Sequence, residues 1–186
     1  MKIEKTTPLP NLSPAFSADE LGMVDQSVSS TQIDAMIQAV TDWIESRCGV
    51  ICRLTDFRIT LTPKEILQRA IRLPISPVLA ITSAKIDVKE LPEGSVLTKN
   101  AHLVIDPKIK DMGKDVIVDL LVGFTENKVP HTVKVAAMMV CKHWLKNPSD
   151  FENRKFRDAN AIQLLQMHTP CMVWPTHAME GGSLWQ

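Results

Sequence analysis

Residues Val116–Asn147, VIVDLLVGFTENKVPHTVKVAAMMVCKHWLKN, decide the fold, because the hydrophobic period changes in the middle of them. From Val116 to Val122 a run of branched apolar residues predicts a strand. Gly123 permits a sharp turn, and Pro130 sits where proline favours the first turn of a helix. From His131 to Lys146 the residues Val133, Ala136, Ala137, Val140 and Trp144 recur at helical spacing. Val135, Met139 and Leu145 fall outside that stripe, so the helix is apolar on more than one side. It is therefore sandwiched between layers of its own fold or touches a neighbouring subunit. Asn147-Pro148 ends it.

On the N-terminal side of this stretch, residues 53–123 read as strands. Arg53–Leu61, Ala70–Leu73, Val78–Ile86, His102–Ile105 and Val116–Val122 are rich in Val, Ile and Thr, and Pro63, Pro74, Pro77, Pro92, Gly94 and Pro107 punctuate them. No helical insert long enough for a parallel crossover lies between them, which predicts a mostly antiparallel sheet. Before it, Ile33, Ile37, Val40 and Ile44 form the core stripe of a helix over about 31–48, ended by Gly49 in a left-handed conformation. Ser17-Ala-Asp-Glu20 fits a capping box opening a short helix over about 18–24. Residues 1–16, with Pro8, Pro10 and Pro14, read as a flexible arm.

On the C-terminal side, Ala161, Ile162, Leu164 and Leu165 predict a last helix over about 158–167. Residues 171–186 have no periodicity, yet they hold Met172, Val173, Trp174, Leu184 and Trp185, including two of the four tryptophans of the chain. Disordered tails are normally poor in aromatics. This one either packs back on its own domain or anchors in a partner, where buried Trp often dominates binding.

Composition bounds the function. With 186 residues, 45% of them hydrophobic and 23% charged, the chain has the balance of a globular domain. No apolar run reaches the ~20 residues of a membrane span, and MKIEKTTPLP lacks the apolar core of a secretory signal, so a protein made in the cytoplasm is expected. Lys+Arg and Asp+Glu are 21 each, so no global positive field exists to hold a phosphate backbone. A local excess does exist over residues 128–157. Lys134, Lys142 and Lys146 share one face of the Pro130 helix: a solvated face, a phosphate contact, or a surface for another subunit.

Chemistry is hard to find. There is no phosphate loop, no H-E-x-x-H helix and no G-x-S-x-G turn, so no catalytic residue is assigned and no cofactor is expected. A metal or thiol site would need Cys48, Cys52, Cys141 and His143 to converge, but the spacing is not that of common zinc sites. Core thiols are the expectation for these cysteines.

The order of motifs resembles the head–tail connector (adaptor) proteins of tailed double-stranded DNA bacteriophages, specifically the longer members with a β-rich insertion. The resemblance rests on four stretches: DAMIQAVTDWIESRCG (Asp34–Gly49), IRLPISPVLAITSAKID (Ile71–Asp87), VDLLVGFTENKVPHTVKVAAMMVCKHWLKN (Val118–Asn147) and NAIQLLQMHTP (Asn160–Pro170). Shorter members often read His-aromatic-Tyr-Glu-Asn-Arg after the third motif; this chain reads HWLKNPSDFENR, with extra residues around Pro148.

The resemblance implies an α+β fold, a small helical bundle with an inserted antiparallel β region. It implies a structural protein rather than an enzyme, located in the virion neck. Such proteins form a ring, usually of twelve subunits, below the portal protein. The ring extends the channel through which double-stranded DNA passes and offers a platform to the stopper or tail-completion protein. On this reading 17–170 is the connector domain and 171–186 a docking arm for the portal, with Met172, Val173, Trp174, Leu184 and Trp185 as its contacts. Lys134, Lys142 and Lys146 then mark a subunit or channel surface. The readings beside it are a small nucleic-acid-binding module using the basic helix, and a stopper or tail-completion role within the neck.

Overall fold

The structure, a computed structural model, describes residues 1–8, 15–23, 28–68, 70–99, 101–110, 113–125, 128–153, 155–156 and 158–168. Its elements run β1 (Lys2–Pro8), α1 (Ser30–Cys48), β2 (Thr55–Leu61), α2 (Pro63–Ile66), β3 (Ile71–Arg72), β4 (Val78–Ile86), β5 (Lys89–Glu90), β6 (Val96–Lys99), β7 (His102–Ile105), α3 (Pro107–Lys110), β8 (Val116–Val122), α4 (His131–Lys146), α5 (Pro148–Glu152) and α6 (Ala159–Gln166). The chain is α+β, as expected. Five strands form one sheet in the order β1-β2-β8-β4-β5, and β3-β7-β6 form a second. Every strand pairing in the two sheets is antiparallel.

The alternation in β2 and β8 explains how the sheets pack. Phe57, Ile59 and Leu61 on β2, and Val116, Val118, Leu120 and Val122 on β8, are wholly buried on one face. They share a core with Ile71, Val96, Leu103 and Ile105 of the small sheet, closed by Ile66 of α2 and Ile109 of α3. Each such side chain contributes roughly 1.5–3 kcal/mol by leaving water. A separate core joins Ile37, Val40 and Ile44 of α1 to Val133, Ala137 and Val140 of α4 and to Ala161 and Leu165 of α6.

The opposite face of the large sheet carries a charged cluster between the half-buried Ile117 and Leu121 of β8. Arg58 donates from Nε to Asp119 Oδ1 at 2.7 Å and from Nη2 to Oδ2 at 3.1 Å, and Ser83 Oγ donates to Oδ2 at 2.8 Å. These bonds, that from Arg58 foremost, hold the Asp119 carboxyl below its ordinary range. A depressed carboxyl stabilises the fold above its unfolded pKa, and that contribution is lost as pH falls through the folded value. Asp119→Asn is therefore expected to cost up to about 1 kcal/mol at neutral pH. Urea denaturation should show the gap to wild type closing below pH of about 4; a gap unchanged in acid would contradict this origin.

Helix α1 begins with a capping box. Ser29 Oγ accepts from the Gln32 amide at 3.3 Å and Gln32 Oε1 accepts from the Ser29 amide at 3.3 Å. Gly49 ends it with φ of 64°. A Cβ there would lie 2.1 Å from the Pro74 carbonyl oxygen, so the loop before Ile75 can close against the helix end only over a glycine.

Three expectations need correction. The arm over 1–16 is a strand for half its length: β1 pairs with β2 from Lys2↔Thr60 to Pro8↔Thr55. Among its described side chains only Ile3 packs against the β core, and the sequence KIEKTTP shows no apolar alternation. The helix over 18–24 is a set of turns. Its capping box forms, with the Ser17 amide on Glu20 Oε2 at 3.0 Å and the Glu20 amide on Ser17 Oγ at 3.1 Å, but Gly22 turns left-handed at φ of 61° and stops propagation. Finally, Pro63, Pro107 and Pro148 do more than punctuate: each opens a helix of four or five residues, α2, α3 or α5.

Candidate interaction surfaces

Helix α4 is covered on several sides by its own chain. α1 and α6 pack on its buried stripe, α5 folds back on its C-terminal end, and the turns over 15–23 lie across Met138 and Lys134. Of the apolar residues outside the stripe, Met139 and Leu145 are half-buried against this same core, as is Met138, whereas Val135 is half-buried without packing on it. Intramolecular layering accounts for the breadth of the apolar surface at these positions.

The basic face is reduced accordingly. Lys134 Nζ donates to Glu20 Oε1 at 2.5 Å, and this bond, with the backbone bond from Ser17, lowers the Glu20 carboxyl from its ordinary value. Lys142 and Lys146 are exposed, as is His131. The structure thus separates the three expected lysines: one ties the N-terminal turns to α4, and two face solvent.

No catalytic geometry joins Cys141 to His143. Cys141 is buried in the helical core, and burial pushes its thiol up to about 12. His143 turns the other way: its Nε2 lies 2.9 Å from Asp150 Oδ2 and its ring meets Phe156 edge-on at 5.3 Å. Burial likewise raises Cys48 to about 12 and Cys52 well above its ordinary value. Such thiols hold little thiolate at neutral pH, so none of these three offers the nucleophile a thiol enzyme needs. Among the described residues no three of His, Cys, Asp and Glu are grouped to hold a metal ion. Among them, too, no helix is long and apolar enough to cross a membrane.

Two polar junctions escaped the sequence reading. Glu45, 5% exposed on α1, accepts from the Cys52 amide at 3.1 Å and from Lys5 Nζ of β1 at 3.2 Å. It fastens the large sheet to the helical layer. His168, just beyond α6, is held twice: its carbonyl accepts from Ser76 Oγ at 2.7 Å and its Nε2 meets the Thr132 hydroxyl at 2.5 Å. Burial lowers its pKa from the ordinary value. Its two partners lie 92 and 36 residues away in sequence, so no local pattern announces them. Met172, Val173, Trp174, Leu184 and Trp185 lie outside the described residues, and His168 is where the described chain stops.

No protein-family model and no curated protein matches the chain. Solved structures do. A chain in the virion of a native gene transfer agent (GTA) particle superposes with a TM-score of 0.65 at 16% identity, covering 94% of this chain and 98% of that one. A chain in the neck of an empty GTA particle, solved with C6 symmetry, gives 0.63 at 18% identity over 94% and 98%. A chain in the neck of a native GTA particle, solved with C12 symmetry, gives 0.61 at 17% identity over 89% and 95%. At these identities the likeness is one of fold, and it extends over nearly the whole of both chains.

Proposed function

We propose that the chain is a structural head–tail adaptor of a tailed phage or phage-like particle. In the virion neck, a ring of twelve copies sits below the portal, extends the DNA channel and gives the stopper or tail protein its platform. One observation carries this reading: near end-to-end likeness to chains of GTA virions and necks, without a missing or extra domain on either side. The C12 symmetry of one of those necks supports twelve copies, and its C6 counterpart is compatible with the same ring. A ring repeats one heterologous contact until the rotation closes.

The charge of the chain fits a conduit. A ring with equal numbers of basic and acidic side chains presents no continuous positive wall to passing phosphates, which would otherwise release counterions and hold the DNA in place. Docking to the portal is assigned to residues 171–186, with Met172, Val173, Trp174, Leu184 and Trp185 as anchors. The bonds from Ser76 and Thr132 to His168 support this assignment, because they give such an arm a fixed root. Lys142 and Lys146 are assigned to a subunit or channel-facing surface.

Cosedimentation with DNA-filled, tail-less heads tests the reading. The full chain should pellet at about one ring per head, and deleting residues 171–186 should abolish attachment while circular dichroism stays that of the folded domain. Attachment that survives the deletion moves the portal contact to the folded domain. A chain that never pellets with heads overturns the adaptor role.

A further inference from the structure

The described chain ends on a titratable side chain that is built into a junction. His168 completes the last turn of α6, its amide donating to the Leu165 carbonyl at 3.0 Å. Its ring nitrogen Nε2 meets the hydroxyl of Thr132 in the first turn of α4, and its carbonyl takes the Ser76 hydroxyl at 2.7 Å. Ser76, 5% exposed, is fixed in turn. Its amide donates to the Gly49 carbonyl and its carbonyl accepts from the Ile51 amide, each at 2.8 Å. One half-buried residue thus joins the end of α6 to the start of α4 and to the loop that closes on the end of α1.

The junction suits a neutral ring and not a charged one. The loop over 73–77 has no titratable side chain, and neither has α6 from Ala159 to Gln166. α4 brings His131, which is exposed, and Lys134, whose ammonium is on Glu20. α1 brings Arg47, the neutral thiol of Cys48, and Glu45, which is committed to Lys5 and the Cys52 amide. Among the described residues no carboxylate bonds to the His168 ring, whose partner is the uncharged Thr132. The first turn of α4 adds the positive end of a 16-residue helix, and Pro130 before it supplies no side-chain cap. Burial, with no opposing charge, lowers the pKa of the ring from its ordinary value. The Thr132 hydroxyl can reverse its bond toward a protonated nitrogen, but it returns no charge.

We propose that His168 is a proton-operated latch on the root of residues 169–186. Neutral, it holds that root where α4, α6 and the Ser76 loop meet; protonated, it leaves the junction and frees the root. The ring takes a proton more readily when released than when seated. The closed latch is therefore fully favoured above the released value of about 6.5 and loses ground as pH falls through it. At pH of about 5 the opening equilibrium rises by at most about thirtyfold, the limit in which the seated ring takes no proton. Carboxylates of ordinary pKa titrate at about pH 4, below this window. Where residues 171–186 dock on a portal, the latch makes docking proton-dependent, and this consequence rests on the adaptor reading above.

Amide hydrogen exchange of the full chain, referred to an unstructured chain at the same pH, reads the latch. Protection of the last turn of α6 and of the His168 amide should fall about tenfold between about pH 7.5 and about pH 5. It should stay level in His168→Gln, whose side chain keeps a bond to Thr132 but takes up no proton. Wild-type protection that stays level, or that falls equally in His168→Gln, overturns the latch. His131→Gln should respond as wild type does, and a level response there moves the switch to His131 and overturns the assignment. The proton NMR signals of the His168 ring give a check that needs no variant. A midpoint below about 6.5 is expected, and one at or above it overturns the latch. With DNA-filled, tail-less heads, wild type should pellet at neutral pH and not in acid, and His168→Gln at both. Heads that take up neither chain at neutral pH overturn the adaptor reading and not the latch, which the exchange data test. Attachment that ignores pH while exchange responds overturns the hold of the latch on docking.

Discussion

Gly123→Ala is expected to destabilise the chain by about 4 kcal/mol, from a backbone strain of about 1–3 and a steric cost of similar size. Gly123 has φ of 117°, a conformation that residues with a Cβ rarely adopt. A Cβ there would lie 2.2 Å from the Arg53 carbonyl oxygen and 2.6 Å from its carbon. That obstacle is main chain at the entrance to β2, so no side-chain rotation relieves it. Movement the other way is blocked too, because the Gly123 amide donates to the Pro77 carbonyl at 2.8 Å. The melting temperature should fall by roughly 8–16 °C. A drop of less than about 3 °C would show that this corner yields more easily than its geometry implies.

Trp144→Ala should cost about 3–5 kcal/mol, comparable to other large-to-small changes in a core. The indole is 1% exposed in the helical core, and its Nε1 donates to the Lys155 carbonyl at 2.8 Å. Its ring lies 5.6 Å from Phe151 of α5. The side chain therefore fills space and also closes the extra segment around Pro148 onto α4. Trp144→Phe separates the two roles: most of the packing stays, the Lys155 carbonyl loses its partner, and about 1–2 kcal/mol should be lost. Equal losses for Phe and Ala in urea denaturation would place the whole effect in the hydrogen bond.

Where apolar periodicity is long and strong, structure and sequence agree. The helix expected over 31–48 is observed as Ser30–Cys48, and that over 131–146 as His131–Lys146. The strands Val78–Ile86, His102–Ile105 and Val116–Val122 also stand where alternation or branching put them. Elements without such a signal were missed. β1 is held by backbone bonds and by Lys5, Thr6 and Ile3, and its sequence is mostly polar. β6 has one buried apolar residue, Val96, in four. Short helices opened by proline lack the length for a period to appear. Interaction surfaces were less legible still. The basic face of α4 could be read from spacing, but Glu20, which takes Lys134 out of it, lies 114 residues away. Junctions such as Ser76–His168–Thr132 exist only once the layers meet, so no linear pattern contains them.

The strand order β1-β2-β8-β4-β5 also governs when the chain becomes a folded object during synthesis. β8 lies between β2 and β4, so both must wait for it, and the pairing Leu61↔Val116 spans the shortest β2–β8 gap. At roughly 5–20 residues per second a ribosome takes about 3–11 s to cross that gap. During that interval the apolar faces of β2 and β4 have been made and have no central strand to share. The helical layer waits longer, since α1 packs against α4 and α6 from the far end of the chain. Neither layer can be released early as an independent piece, so the nascent chain is exposed to misassociation until α6 emerges.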